Sequence, residues 1–519
     1  MSKLRVSMTL PGAISLGAYE GGALAALLVA AKALGEDLVV VDSIAAASAG
    51  SITALLAARS LLRNVDPVTL LTKAWVELDS FNAMKTHSLD SPLSGDSLSK
   101  IAAATVGPDG VPDGPVGGRQ QQSIHLSFAL ANLAGMTYDI PTIQAGTTVQ
   151  ATTNLDWFDA ELGPADDAAR YLEIAPFALA SGANAIGFPP KNLDRSADRQ
   201  KYLDAGLQGF PADGRFWYTD GGTVNNEPLG RTIDLVGGIP DDPDAKRLYL
   251  LIHPDPSAPA DATSGPWSGD SPQPSWTHTG THAIGMGRSQ SIYEDLRKLQ
   301  KTNSRLEWSR SIADAVESGV AGAVRELGLS VEQAQTLRGA LTDAARTSLA
   351  TVRAAQEATT AAAGRPTRPR DDPGPTLENV LSALVDAATG LEGRNPITVE
   401  VVSPLLQATA GQRPADLLAG LFLFHFGGFL DIKFRRSDFA LGYRNMRHWL
   451  EHDLARHLPA GTDLGPARAA VTARYDELGW DHIDWGGAGF GALSGREQLQ
   501  LAELAFHVGH VVANDVHKG

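Results

Sequence analysis

The chain has 519 residues, 43% hydrophobic and 20% charged, with 43 basic side chains against 59 acidic ones and a formal charge of −16. That length supports a large core and more than one structural unit. The acidity argues against nucleic acid as a partner and against adhesion to anionic membranes by general charge attraction, which leaves a local patch as the means of transient contact with a membrane surface. With no cysteine in the chain, disulfides, a thiolate nucleophile and cysteine-based metal sites are excluded.

The N-terminus, MSKLRVSMTLPGA, lacks a signal-peptide pattern, because its apolar stretch is short and runs straight into the fold. The longest apolar runs, Ala23–Ala31 and Leu417–Leu430, fall short of the roughly 20 residues of a spanning helix. The expectation is a soluble, cytoplasmic protein. In chain order, Leu4–Leu10 reads as a strand, Pro11–Gly17 as a loop and Ala18–Leu34 as a buried helix rich in Ala and Leu. Asp37–Ile44 reads as a second strand and Ser51–Leu62 as a second helix. This alternation predicts an α/β fold with a mostly parallel sheet.

Further strand-like runs are Thr147–Thr152, Arg247–His253 and Ile397–Val402. Between the last two lie two linker-like stretches, Asp255–Pro274 and Ala361–Pro375, and helical patterns over His282–Ala355, with a turn near Gly328, and over Thr376–Leu391. A strand after so long a helical stretch predicts a discontinuous core. The expected division is 1–255 as catalytic core, 256–394 as linker and helical insertion, 395–460 as a return to the core and 461–519 as a C-terminal helical segment. A two-domain chain split near 256 is the competing division. The insertion could serve as a lid over an apolar cleft or as an assembly surface.

Three segments carry chemistry. The loop Pro11–Gly17 (PGAISLG) joins a strand to a helix, where backbone N–H groups can face an anion. The segment around Ser48 (A-A-S-A-G) resembles the elbow G-x-S-x-G, with Ala46 at the first glycine position. Such a turn lifts a hydroxyl out of the packed layers and sets it at a helix N-terminus; the alternative is a serine that caps the following helix. In Tyr218–Leu229 (YTDGGTVNNEPL), Asp220 precedes two glycines that permit a sharp turn and close approach of another loop.

In order and spacing these three segments resemble the patatin-like phospholipase family. Two more stretches fit: Ala178–Pro190 (ALASGANAIGFPP) and Phe426–Asn445 (FGGFLDIKFRRSDFALGYRN), the latter like a C-terminal motif of a bacterial branch. The resemblance covers roughly 1–255 and 395–450. It implies a patatin-like three-layer sandwich and a Ser–Asp dyad without histidine, with Ser48 as nucleophile, Asp220 as base and the amides near Gly12, Ala13 and Ile14 as oxyanion hole. It implies a lipid or other acyl-ester substrate, an acyl-serine intermediate, and no cofactor or metal. Ala13 and Ile14 stand where the family usually has glycines, and Leu16 where it usually has Arg or Lys, which bears on phospholipid preference more than on ester hydrolysis.

Two other readings from different classes are a carboxylesterase or thioesterase on smaller acyl substrates and a catalytically silent lipid-binding protein on the same scaffold. His253, at the end of a predicted strand, is the best-placed histidine for a Ser–His–Asp triad, but no H-G-G-G loop occurs. His278 and His282 are four apart without an H-E-x-x-H pattern, a weak metal signal. Arg435, Arg436, Arg444 and Arg447 form a basic cluster, read as a solvated or locally paired face or as a headgroup contact.

Overall fold

The computed structural model describes residues 3–77, 84, 91–114, 123–141, 148–185, 187–239, 245–256, 273, 275–362, 372–389, 396–423, 425–482 and 493–518. The chain divides into two units, one made of 1–293 and 399–519 and the other of 294–398.

The first unit is built on an eight-stranded, mixed, mostly parallel sheet. Strand β1 (Leu4–Leu10) pairs in parallel with β2 (Val39–Ala46) on one edge and with β7 (Lys246–Ile252) on the other. Strand β8 (Val399–Val402) extends the sheet beyond β7, also in parallel. β1 and β2 read as nearly continuous apolar runs because both faces are covered by helices. Helices α1 (Gly17–Leu34) and α2 (Ala49–Leu62) follow β1 and β2 and pack against each other on one face of the sheet, as the right-handed rule for such crossovers leads one to expect. The helix Leu229–Val236 covers the other face, where Thr232 Oγ1 meets Thr9 Oγ1 at 2.7 Å.

The other half of the sheet is antiparallel and organised by β3 (Ile124–Pro141), an 18-residue strand that is not among those expected from the sequence. Along one edge it pairs with β4 (Thr148–Leu162) from Ile124↔Leu162 to Ala131↔Leu155. β2 pairs Ser43–Ala46 in parallel with His125–Phe128, and β6 (Arg215–Asp220) pairs Tyr218–Asp220 with Asn132–Leu130 in antiparallel register. A strand has only two hydrogen-bonding edges, so β2 and β6 share the edge opposite β4 and run toward each other, their ends separated by Ala129. Strand β5 (Lys191–Asp194) closes that side against β6.

α1 is buried from Gly17 to Ala31, against the helix Ile432–His452 and its neighbours. A helix apolar all round belongs in a core or a membrane. The stretch Ile14–Leu34 is long and apolar enough to cross a membrane by length and composition, and its apolar window is wholly buried within the protein. Counting only uninterrupted runs missed it, because Ser15, Glu20 and the glycines break the run without lowering the average far. Leu417–Leu430 likewise supplies core: Leu417, Leu418, Ala419, Phe429 and Leu430 are all buried.

The second unit, 294–398, holds most of the helix Trp276–Glu326, then Val331–Ala362 and Leu377–Thr389. The break between the first two falls at Gly328, whose φ of +62° ends a helix readily. Asn303 ties the end of this unit down, donating to the Ile397 carbonyl and accepting from its amide.

Candidate active site

The shared edge of β3 determines where the chemistry sits. Ser48 lies two residues past the end of β2, and Asp220 is the last residue of β6. The two strand ends converge on Ala129, and the Ser48 hydroxyl donates to Asp220 Oδ2 at 3.1 Å. Both residues are buried, at 2% and 1% exposure. Ser48 precedes α2, but its side chain makes no cap to that helix. The helix-cap alternative therefore does not describe this serine.

Ser48 holds φ +51° and ψ −128°, a conformation that L-residues enter only under constraint. Two contacts supply the constraint. Its amide donates to Ser181 Oγ at 2.9 Å. Gly50 lets the start of α2 press against the end of β1; a Cβ there would stand 2.5 Å from the Leu10 carbonyl oxygen. Ala46, in the strand and wholly buried, occupies the elbow's first glycine position with a normal backbone.

Asp220 is held at both oxygens. Oδ1 accepts from the Gly222 amide at 2.8 Å, and Oδ2 accepts from Asn184 Nδ2 at 3.3 Å as well as from Ser48. Its own amide donates to the Ala183 carbonyl at 3.0 Å.

The loop PGAISLG lies against this pair. A Cβ at Gly12 would stand 2.9 Å from Ser48 Cβ and 2.4 Å from Asn226 Oδ1, so only glycine fits. The Gly12 amide is committed elsewhere, donating to the Asn226 carbonyl at 3.0 Å. Of the three amides expected to face an oxyanion, this one must be corrected to a structural role. Among the described residues, those of Ala13 and Ile14 donate to no protein acceptor. Ile14 adopts φ +52°, a left-handed conformation that suits glycine and strains a β-branched residue.

What holds the loop in this shape comes from the far end of the chain. Ser15 donates from its amide to the His425 carbonyl at 3.0 Å and accepts from the Gly428 amide at 3.0 Å. The Ile14 side chain packs with Phe188, Phe426, Phe429 and Leu430. Leu423 and His425 also hold positive φ, so four of the five non-glycine residues with that conformation among those described belong to the elbow, this loop and the segment pinning it. Leu16 is fully buried beside Gly420. Asp438, wholly buried, accepts from the Ala419 and Gly420 amides; burial outweighs those two donors and pushes its carboxyl up to about 7.

The remaining candidates lie apart from this chemistry. His253 Nε2 is 3.9 Å from Glu227 Oε1, and no hydrogen bond joins it to Ser48 among the described residues. Burial holds His253 down to about 4, so it is neutral at neutral pH. The side chains of His278 and His282 lie outside the described residues. Among the described residues no group of three metal-ligating side chains converges. The basic cluster is largely spent inside the fold: Arg435 is buried and donates to the Val76 and Gly428 carbonyls, Arg436 stacks on Trp480, and Arg447 stacks on Tyr475 and faces Glu451.

Sequence reasoning did not assign Ser181, Asn184 or Asn226. The first two lie in the small-residue segment Ala178–Pro190, whose signal was composition without a role for any one residue; Asn226 lies six residues beyond Asp220 in the third motif.

Residues 8–233 match the family model described as Patatin-like phospholipase. No curated protein matches the chain. The matched span begins within β1 and ends within the helix after Asp220, so it contains the loop, the elbow, β3 and the Asp-Gly-Gly turn. Over residues 8–233 the chain thus carries a domain similar to the patatin-like phospholipase family, whose members are lipid acyl hydrolases.

Proposed function

We propose that the protein is a serine acyl hydrolase that cleaves lipid acyl esters through Ser48 as nucleophile and Asp220 as base. The observation that carries this reading is the 3.1 Å hydrogen bond from Ser48 Oγ to Asp220 Oδ2 at a left-handed elbow. A serine hydroxyl is a weak nucleophile and needs an adjacent base. Ser48 Oγ attacks the acyl carbonyl carbon as its proton passes to Asp220. The oxyanion is met by the amides of Ala13 and Ile14; each such donor contributes on the order of 10²–10³ in rate. Collapse breaks the acyl carbon–oxygen bond, and Asp220 returns the proton to the leaving alcohol. Water then attacks the acyl-serine, giving a proton to Asp220; collapse breaks the acyl carbon–Oγ bond, Asp220 returns the proton to Ser48 Oγ, and a carboxylic acid leaves.

The apolar side chains around Ile14 suit an acyl chain beside the reacting carbonyl. Leu16, buried where the family usually carries a cation, favours neutral acyl esters over phosphate-bearing ones, and so supports a carboxylesterase as the second reading. The test compares p-nitrophenyl esters of 4 to 16 carbons, diacylglycerol and phosphatidylcholine, with Ser48→Ala as control. Long-chain or diacylglycerol hydrolysis that the mutation abolishes supports the proposal, and short-chain hydrolysis alone supports the second reading. Lipid binding without hydrolysis of any ester would identify a silent scaffold.

A further inference from the structure

We propose that the four-residue turn Ser181–Asn184 is the clamp that positions both members of the Ser48–Asp220 pair, with Asn184 acting on the base and Ser181 on the elbow. The inference rests on the reading of those two residues as base and nucleophile, and adds the parts that hold them.

The turn follows the helix Ala168–Ser181 and lies where β2 and β6 run toward each other along β3. That meeting point has a structural problem. Neither strand pairs with Ala129, and its carbonyl faces the gap. Ser181 resolves it by donating its hydroxyl hydrogen to the Ala129 carbonyl at 2.7 Å. The same oxygen accepts from the Ser48 amide at 2.9 Å and from the Ser51 hydroxyl at 2.9 Å. One donor and two acceptor sites are thus all used. A saturated hydroxyl has no alternative arrangement, so the elbow amide is referenced directly to β3.

Two residues on, the Ala183 carbonyl accepts from the Asp220 amide at 3.0 Å and from Thr219 Oγ1 at 2.8 Å. Asn184 then reaches the carboxylate itself, donating from Nδ2 to Oδ2, the oxygen that takes the hydrogen of Ser48. With Oδ1 held by the Gly222 amide, the carboxylate plane is fixed by a donor on each oxygen besides the Ser48 hydroxyl. The Asn184 donor also favours the ionised carboxylate and bonds less well to the protonated acid. It therefore favours return of the proton to the leaving alcohol once Oδ2 has taken it from Ser48. Asn184 is thus a positioning residue that also tunes the base. Two further ionisable groups flank the site: Glu227, whose Oε1 accepts from Asn226 Nδ2 at 2.8 Å, and neutral His253 beside it.

The experiment measures kcat and KM from pH 4 to 9 on p-nitrophenyl butyrate for the full chain and for Ser48→Ala, Asn184→Ala, Asn184→Asp, Ser181→Ala and Ser181→Thr, with melting curves to establish folding. Asn184→Ala is expected to lower kcat at least 10-fold with KM within about threefold, and to move the acid limb up by about half to one pH unit. Asn184→Asp sets two carboxylates against each other and moves that limb further in the same direction. Ser181→Ala lowers kcat, and Ser181→Thr, which keeps the hydroxyl, restores most of it. A merely structural turn would lower melting temperature without moving the pH limb. An unmoved limb in both Asn184 variants, with Ser48→Ala inactive, overturns the clamp and leaves the dyad standing. Full activity in Ser48→Ala overturns the dyad, and the clamp with it. If Ser181→Ala does not fold, the two Asn184 variants decide.

Discussion

Ile14 is the residue whose conformation the amino-acid type least favours, which makes it a sharp test of the loop geometry. Its side chain is 7% exposed and packed among Phe188, Phe426 and Phe429, so truncation to alanine should cost about 2–5 kcal/mol. Its φ of +52° costs any L-residue a further ~1–2 kcal/mol, which alanine keeps and glycine relieves. At an ordinary position glycine is less stable than alanine by roughly 0.5–1 kcal/mol. At position 14 the strain relief offsets that entropy. Ile14→Gly should therefore be as stable as Ile14→Ala or more so, by up to about 1.5 kcal/mol, although it removes one more carbon. Urea midpoints for the two variants, measured side by side, decide this. A glycine variant about 1 kcal/mol less stable than the alanine variant, as at an ordinary site, would refute the left-handed loop.

Gly12→Ala places a methyl 2.9 Å from Ser48 Cβ and 2.4 Å from Asn226 Oδ1; kcat/KM on p-nitrophenyl esters should fall at least about 10²-fold in a protein that still folds, and near-normal activity would show that the loop does not abut the serine. His253→Gln should leave the rate between pH 6 and 8 within about threefold, because His253 is neutral there and not bonded to Ser48; a loss on the order of 10³ or more would instead point to a histidine triad. Glu20 on α1 is wholly buried, both its oxygens lack a hydrogen-bond partner among the described residues, and burial pushes its carboxyl well above the ordinary range. The folded chain therefore holds a proton that the unfolded chain releases above about pH 4.3, so Glu20 makes stability fall as pH rises, by up to about 1.4 kcal/mol per unit until the folded-state value is reached. The stability advantage of Glu20→Gln over the parent should accordingly grow from pH 5 to pH 7 in urea unfolding, and a pH-independent difference would contradict the buried, protonated carboxyl.

The parallel half of the sheet was legible because its strands obey local rules. Leu4–Leu10 is observed with the bounds expected of it, and Val39–Ala46 differs from expectation by two residues at each end, since Asp37 and Leu38 belong to the turn after α1 and the strand continues into Ala45 and Ala46. The antiparallel half was not legible. β3 opens on a period-two alternation, with Ile124, Leu126, Phe128 and Leu130 against His125, Ser127, Ala129 and Ala131, but Asn132, Ala134, Gly135 and Thr137 break the pattern beyond it, so the length of the strand was not legible. Of its partner β4 only the first five residues fall within the expected strand Thr147–Thr152, because the pattern beyond is diluted by Asn154, Asp156 and Asp159, whose roles are cross-strand and tertiary: Asp156 accepts from Arg195, Tyr202 and Tyr218 in a buried network. Ser48 and Asp220 were visible as motifs 172 residues apart in sequence; that they meet follows from the shared edge of β3, which is a property of topology. The Gly12 amide was misassigned because its acceptor, the Asn226 carbonyl, lies more than 200 residues away, beyond any local pattern.

The central claim is that Ser48 is the residue acylated and that Asp220 enables it. Its most direct test is intact-mass and peptide mapping after reaction with a fluorophosphonate, on the parent, Ser48→Ala and Asp220→Asn. One equivalent of label is expected on the peptide bearing Ser48, none in Ser48→Ala, and labelling slowed at least about 10³-fold in Asp220→Asn. Label on another residue, or undiminished labelling in Asp220→Asn, would contradict it.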